Sequence, residues 1–174
     1  MPSHTFSSRP AFLLLFIACT GLLGFGLYLQ HAVGLEPCPM CIMQRYAFVG
    51  VALVALAAAV HGPGSSGTRL YGGMILLLAL TGGGVAARQS WIQRFPPDLA
   101  ECGPGLEYLL DSFGIAEALP MIFRGAGDCT VIDWSLLGLS IANWSLLCFA
   151  AVALVGLWLT LRRDPRRQSF SRGS

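Results

Sequence analysis

From Ala11 to Gln30 the chain reads AFLLLFIACTGLLGFGLYLQ, uncharged, with Thr20 and Gln30 as its only clearly polar positions. At about 1.5 Å of rise per residue, such a run crosses a hydrocarbon layer of roughly 30 Å. Three further apolar runs follow, at about Ile42–Val60, Leu70–Ala87 and Trp144–Leu161, the first of them interrupted only near its start by Gln44 and Arg45. None shows the period-two alternation of a barrel strand. Backbone groups in lipid must be satisfied within each segment, so every run predicts a helix. The expected fold class is an all-α membrane protein, a bundle of four transmembrane helices.

The pattern divides the chain into a terminal segment 1–10, spans 11–30, 42–60, 70–88 and 144–161, connections 31–41, 61–69 and 89–143, and a tail 162–174, all within one integral membrane domain. A cleaved signal peptide fits the first run poorly, because the run is too long and lacks a small-residue cleavage site. A lipoprotein reading of Cys19 fails on bulky Phe16 and Ile17 just before Ala18. The linker HGPGSSGTR reads as a turn between antiparallel helices. Gly21, Gly24 and Gly26, Gly72 and Gly73, and the Gly82–Gly84 run read as devices for close helix contact.

Charge fixes the orientation. The tail holds Arg162, Arg163, Arg166, Arg167 and Arg172 against Asp164 alone, and Arg9 and Arg69 share its side if four spans alternate. By the positive-inside rule that side is cytoplasmic, with both termini. The other side receives Glu36, Asp98, Glu101, Glu107, Asp111, Glu117, Asp128 and Asp133. Composition agrees with a membrane solvent: of 174 residues, 55% are hydrophobic and 11% charged, with mean hydropathy +0.65. A net charge of +2 gives no footprint for nucleic acid. No glycine-rich strand-to-helix loop offers a phosphate cradle. His4, His31 and His61 are scattered and receive no role.

The six cysteines sort by side. Cys19 and Cys148 fall within spans, where a thiol behaves as a small apolar group. Cys38, Cys41, Cys102 and Cys129 all fall in the outward segments, two in each, which suggests two disulfides in an oxidising compartment. Of three connectivities, Cys38–Cys41 with Cys102–Cys129 is the parsimonious one, each pair closing within its own loop. The small C-x-x-C ring favours an exchanging bond, and Pro37 and Pro39 hold the approach non-helical, so that the second helix is expected to begin near Cys41. A helix N-terminus and Arg45 one turn along the same face both favour a thiolate at Cys41. An arginine just inside the apolar boundary needs a partner: the outer headgroups if it snorkels, anionic sulfur or an anionic ligand if it serves a site.

In the long outward segment, Trp91, Phe95 and Pro96–Pro97 precede Cys102, and Leu106, Leu109, Leu110, Phe113, Ile115, Leu119 and Ile122 approximate helical spacing before Cys129. An interfacial amphipathic helix lying on the membrane is expected there. It would keep Cys102 and Cys129 within reach of the other pair.

The run Leu35-Glu36-Pro37-Cys38-Pro39-Met40-Cys41-Ile42-Met43-Gln44-Arg45, the four spans and the Cys102 and Cys129 pair resemble the disulfide bond formation protein B (DsbB) family over almost the whole chain. The resemblance implies a protein disulfide:quinone oxidoreductase of the bacterial inner membrane, the two outward loops being periplasmic. Reduced DsbA, a thioredoxin-like periplasmic dithiol, would attack Cys102 and free Cys129. Cys129 would attack Cys38, forming a transient interloop Cys38–Cys129 bond and freeing Cys41 beside ubiquinone or menaquinone. Arg45 matches the family arginine associated with quinone, and Gln89 stands where some relatives have histidine, which makes it the weaker quinone contact. No metal is implied.

Rival readings are a Cys₄ zinc site, disfavoured by the distance between Cys102 and Cys129 in sequence, and c-type haem attachment, excluded because Ile42 follows Cys41. A non-enzymatic adaptor with two structural disulfides would resist mild reductant and ignore quinone. Vitamin K epoxide reductase-like enzymes carry their C-x-x-C in a late span, unlike this chain.

Overall fold

The computed structural model describes residues 8–96, 132 and 134–162. Four helices long and apolar enough to cross a membrane make up almost all of it: α1 (Arg9–Ala32), α2 (Pro39–His61), α3 (Ser65–Arg94) and α4 (Ile141–Leu161). The chain is a multi-pass membrane protein. A two-stranded antiparallel hairpin, β1 (Ser135–Leu136) and β2 (Leu139–Ser140), leads into α4. Its two-residue turn is Leu137–Gly138, both at positive φ. The expected interfacial helix, Cys102 and Cys129 lie outside the described residues.

All four helices start earlier than the sequence spans, α1 by two residues and α4 by three, and α3 runs on to Arg94 past the expected end at 88, which puts Gln89 on a helix and not in the loop. α2 begins at Pro39 with Cys38 as its N-cap, two residues before the expected start at Cys41. Proline at the first helical position gives up an amide that has no intrahelical partner there and brings a φ already suited to the helix. The linker between α2 and α3 shrinks to residues 62–64, because α3 starts at Ser65, inside the expected turn. Gly62 closes α2 at φ 58°, its N–H bonded to the Ala58 carbonyl at 3.0 Å. The left-handed backbone favours glycine there, and a Cβ would displace only the movable Arg9 guanidinium.

The helices pack α1 on α2, α2 on α3 and α3 most extensively on α4, while α1 barely meets α4. The α3–α4 seam is tight because Gly156 stands where a Cβ would lie 3.0 Å from the Leu76 amide nitrogen and 3.2 Å from the Gly72 carbonyl oxygen. Small residues let backbones approach in a medium where apolar side chains gain little by leaving lipid. Gly21 and Gly24, by contrast, meet nothing within 4 Å among the described residues, so the close-contact role expected of them is not used there.

The core runs along the bundle from Phe12, Ala58 and Leu159 at the end carrying Arg9, Arg69 and Arg162 to Phe48 and Phe149 nearer the sulfurs. The last two stack with ring centroids 4.0 Å apart and planes 12° from parallel. Across the arginine end, Arg69 donates to the Arg162 carbonyl at 3.4 Å, tying the start of α3 to the end of α4.

Candidate functional site

At the opposite end, the first turn of α2 places Cys38 at the N-cap, Pro39 and Met40 in the two following positions, and Cys41 third. Extended backbone at Cys38 (φ −65°, ψ 161°) followed by helix folds the C-x-x-C back on itself, and the two sulfurs stand 3.1 Å apart as thiols. Cys38 is buried and Cys41 half-buried. The helix terminus directs its unpaired amides and the positive end of its dipole at this turn, a setting that favours negative charge on sulfur.

A second helix completes the cluster. Gln89, in the last third of α3, is 3% exposed. Its Nε2 donates to Cys38 Sγ at 3.3 Å and to Cys41 Sγ at 3.2 Å. Its Oε1 accepts from Gln44 Nε2 at 2.7 Å. Gln44, also 3% exposed, sits one turn past Cys41 on α2. Buried amides in an apolar bundle are costly unless both ends are bonded, and this pair satisfies the bridging amide at both of its ends.

Arg45 turns the other way. Its Nη1 donates to Gln30 Oε1 and its Nη2 to the Gly26 carbonyl at 3.0 Å, so the guanidinium bridges α2 to α1. The sequence reading gave Arg45 either the outer headgroups or an anionic sulfur or ligand as its partner. The structure gives its hydrogen bonds to α1 and leaves it on the wall of a cavity shared with Cys41.

That cavity, about 310 Å³, opens where α1 and α4 part. Leu22, Phe25 and Leu29 of α1 and Trp144 of α4 supply apolar wall, while Cys41, Arg45 and Gln89 supply a polar margin. Gln93, one turn beyond Gln89, also reaches the margin, and its Oε1 accepts the Ser140 hydroxyl at 2.6 Å. Ser140 in turn caps α4, accepting the Asn143 amide at 3.4 Å. On the cavity wall, the rings of Phe25 and Trp134 meet edge to face at 6.1 Å. A small dithiol beside an apolar hollow with amide and guanidinium donors suits two-electron exchange between sulfur and a flat apolar acceptor bearing oxygens.

Of the sequence-predicted residues, Cys38, Cys41, Arg45 and Gln89 come together here, whereas Cys102 and Cys129 lie outside the described residues. Gln89, read from sequence as the weaker candidate, is the side chain that touches both sulfurs. Gln44, Gln93 and Ser140 were missed. A usable signal existed for Gln44, since an amide within an apolar span needs a partner. Cys148, read as buried packing, is half-buried and lies on the cavity wall.

Comparison with known proteins agrees with this geometry. The family model described as "Disulfide bond formation protein DsbB" matches residues 8–159. The chain is similar to proteins named "Disulfide bond formation protein B" from Aromatoleum aromaticum, 66% identical over 94% of this chain and 98% of that protein, and from Azoarcus sp., 64% identical over 91% and 95%. A third, from Polaromonas sp., is 56% identical over 91% of this chain and 94% of that protein. With a tight sulfur pair at the head of a membrane helix and matches along nearly its whole length, the chain belongs to the DsbB family of disulfide bond formation proteins.

Proposed function

We propose that the protein reoxidises a DsbA-like periplasmic dithiol protein and passes the electrons to ubiquinone or menaquinone in the bacterial inner membrane, acting as a protein disulfide:quinone oxidoreductase. Family membership supports the disulfide-forming role, and the arginine bias supports a cytoplasmic position for both termini. The single observation that carries the quinone half is that Cys41, hydrogen-bonded by Gln89, shares an apolar-walled cavity with Arg45. A hollow with greasy walls and a polar margin fits a ring bearing two carbonyls and a hydrocarbon tail. When bound, a quinone supplies a sink for two electrons and two protons.

The exchange steps conserve atoms and electrons. The partner's thiolate attacks Cys102 of a Cys102–Cys129 disulfide, forming a mixed disulfide and releasing Cys129 as thiolate. The partner's second thiol then closes the partner's own disulfide and releases Cys102. Cys129 attacks Cys38 of a Cys38–Cys41 disulfide, forming the interloop bond and releasing Cys41 as thiolate. Cys102 then displaces Cys38 from Cys129, restoring the Cys102–Cys129 bond, and the freed Cys38 thiolate bonds to Cys41 as two electrons leave through Cys41 at the cavity wall to the quinone acceptor. Overall, one partner dithiol and one quinone become one partner disulfide and one quinol. The chain's own contribution is to hold the Cys38–Cys41 turn, donate to it from Gln89, and exclude water with apolar wall.

Anaerobic mixing of the purified protein with a reduced thioredoxin-fold partner and a soluble quinone tests this. Quinone absorbance should fall in step with partner oxidation, one for one. Partner oxidation that proceeds equally without quinone would overturn the reading, and disulfides inert to the partner would favour a structural adaptor.

A further inference from the structure

The two amide ends of Gln89 are not equivalent. Cys41 Sγ lies 3.2 Å from Gln89 Nε2 and 3.7 Å from Oε1, so the nitrogen end is turned to the sulfurs. With two N–H groups and one sulfur on each, that nitrogen satisfies Cys38 and Cys41 together. A side-chain amide turned through half a rotation would present its carbonyl instead, and the surroundings must choose. The choice falls to Gln44, whose Nε2 donates to Oε1 from the far side at 2.7 Å and, in that orientation, pairs with an acceptor. Both residues are buried, so water is poorly placed to substitute for either bond.

Resting on the reading of Cys38–Cys41 as a redox pair, we infer that Gln44 is a positioning residue that locks the Gln89 amide with its N–H groups on the two sulfurs, and that Gln89 serves the sulfur pair before it serves the quinone. The consequence concerns the reduced state. Disulfide sulfur is a weak acceptor, whereas thiolate is a strong one, and hydrogen bonds to charged groups are worth more than neutral ones. The donor therefore strengthens as the Cys38–Cys41 bond breaks. It stabilises the electron pair left on Cys41 when Cys38 is attacked, and no proton passes through the amide, which does not titrate. Reversing the amide would put a carbonyl against that charge.

The test measures the equilibrium reduction potential of the Cys38–Cys41 pair in a Cys102→Ser, Cys129→Ser background, in lipid nanodiscs equilibrated with dithiothreitol redox buffers, without partner or quinone. Gln89→Met removes the donor and should shift the equilibrium toward the disulfide by about ten-fold or more, equivalent to a potential lower by about 30 mV. Gln44→Met removes only the lock and should produce most of the same shift. In the double variant, Gln44→Met should add nothing further, because a residue that acts through Gln89 has no effect once Gln89 is gone. Should Gln44→Met not accumulate in membranes, Gln44→Leu, equally unable to donate, gives the same reading.

An unshifted potential in the Gln44 variant overturns the inference, as does a double variant whose shift equals the sum of the two single shifts. A wild-type pair that never oxidises overturns the redox reading and this inference together. A wild-type pair that oxidises normally while the variants remain unshifted overturns the role of Gln44 alone.

Discussion

The two halves of this bundle use the same four helices for opposite ends. In the half carrying Arg9, Arg69 and Arg162, Phe12, Ala55, Ala58, Ile75 and Leu159 are buried, and alanine and glycine bring the helices into contact. In the half carrying the sulfurs, all four helices line a cavity of about 310 Å³, and Gln44 and Gln89 are buried beside it. Closure gives one half its stability. Opening gives the other room for a ligand, at the cost of apolar contact, which hydrogen bonds among Gln44, Gln89, Arg45 and Gln30 partly offset. A substitution should therefore affect folding in the first half and chemistry in the second.

Cys41→Ser should separate them most sharply. Serine removes the sulfur on the cavity wall with little change of volume, so electron transfer to quinone should drop by a factor of about 10³ or more, as for loss of a nucleophile. The mixed disulfide with a reduced partner should still be trapped on gels. Full quinone reduction by this variant would remove Cys41 from the path.

Gly156→Val probes the closed half. A Cβ at 156 would meet the α3 backbone at 3.0 Å, which cannot give way as a side-chain tip can. Overpacking of this kind costs about 1–3 kcal/mol, readable as a lower unfolding midpoint in mixed micelles. The quinone turnover of the folded fraction should be unaltered, and a turnover loss without a midpoint shift would break the division proposed here.

Arg45→Met should raise the KM for quinone by roughly ten-fold, the loss of one charged hydrogen-bonding group, with partner oxidation at Cys102 unaffected. Unchanged quinone kinetics would confine Arg45 to its structural bridge between α2 and α1. The smallest effect is expected of Ser140→Ala. It removes the α4 cap and the bond to Gln93, at about 1 kcal/mol of stability, with at most a few-fold change in turnover. A large turnover loss would move Gln93 and Ser140 into the site.

Hydrophobic runs, the arginine bias and the C-x-x-C before Ile42 were readable because each is a property of neighbours in sequence: length against bilayer thickness, charge at span ends, two sulfurs on one turn. Pro39 misled slightly, as a proline can open a helix as readily as it delays one. Gln44 read as a mere interruption, and Gln89 as a weak ligand contact, because an amide's value depends on what faces it across the bundle.

Amino-acid order alone thus determined a four-span membrane protein with a cysteine pair at the head of its second helix, since burial in lipid leaves the chain few alternatives. Only the tertiary structure decided that α3 brings Gln89 against both sulfurs, that Gln44 orients it, and that Arg45 reaches back to α1. Those contacts join residues separated by 15 to 51 positions. Their direction follows from which helix faces pack together, a consequence of small residues such as Gly156 and of the open seam between α1 and α4.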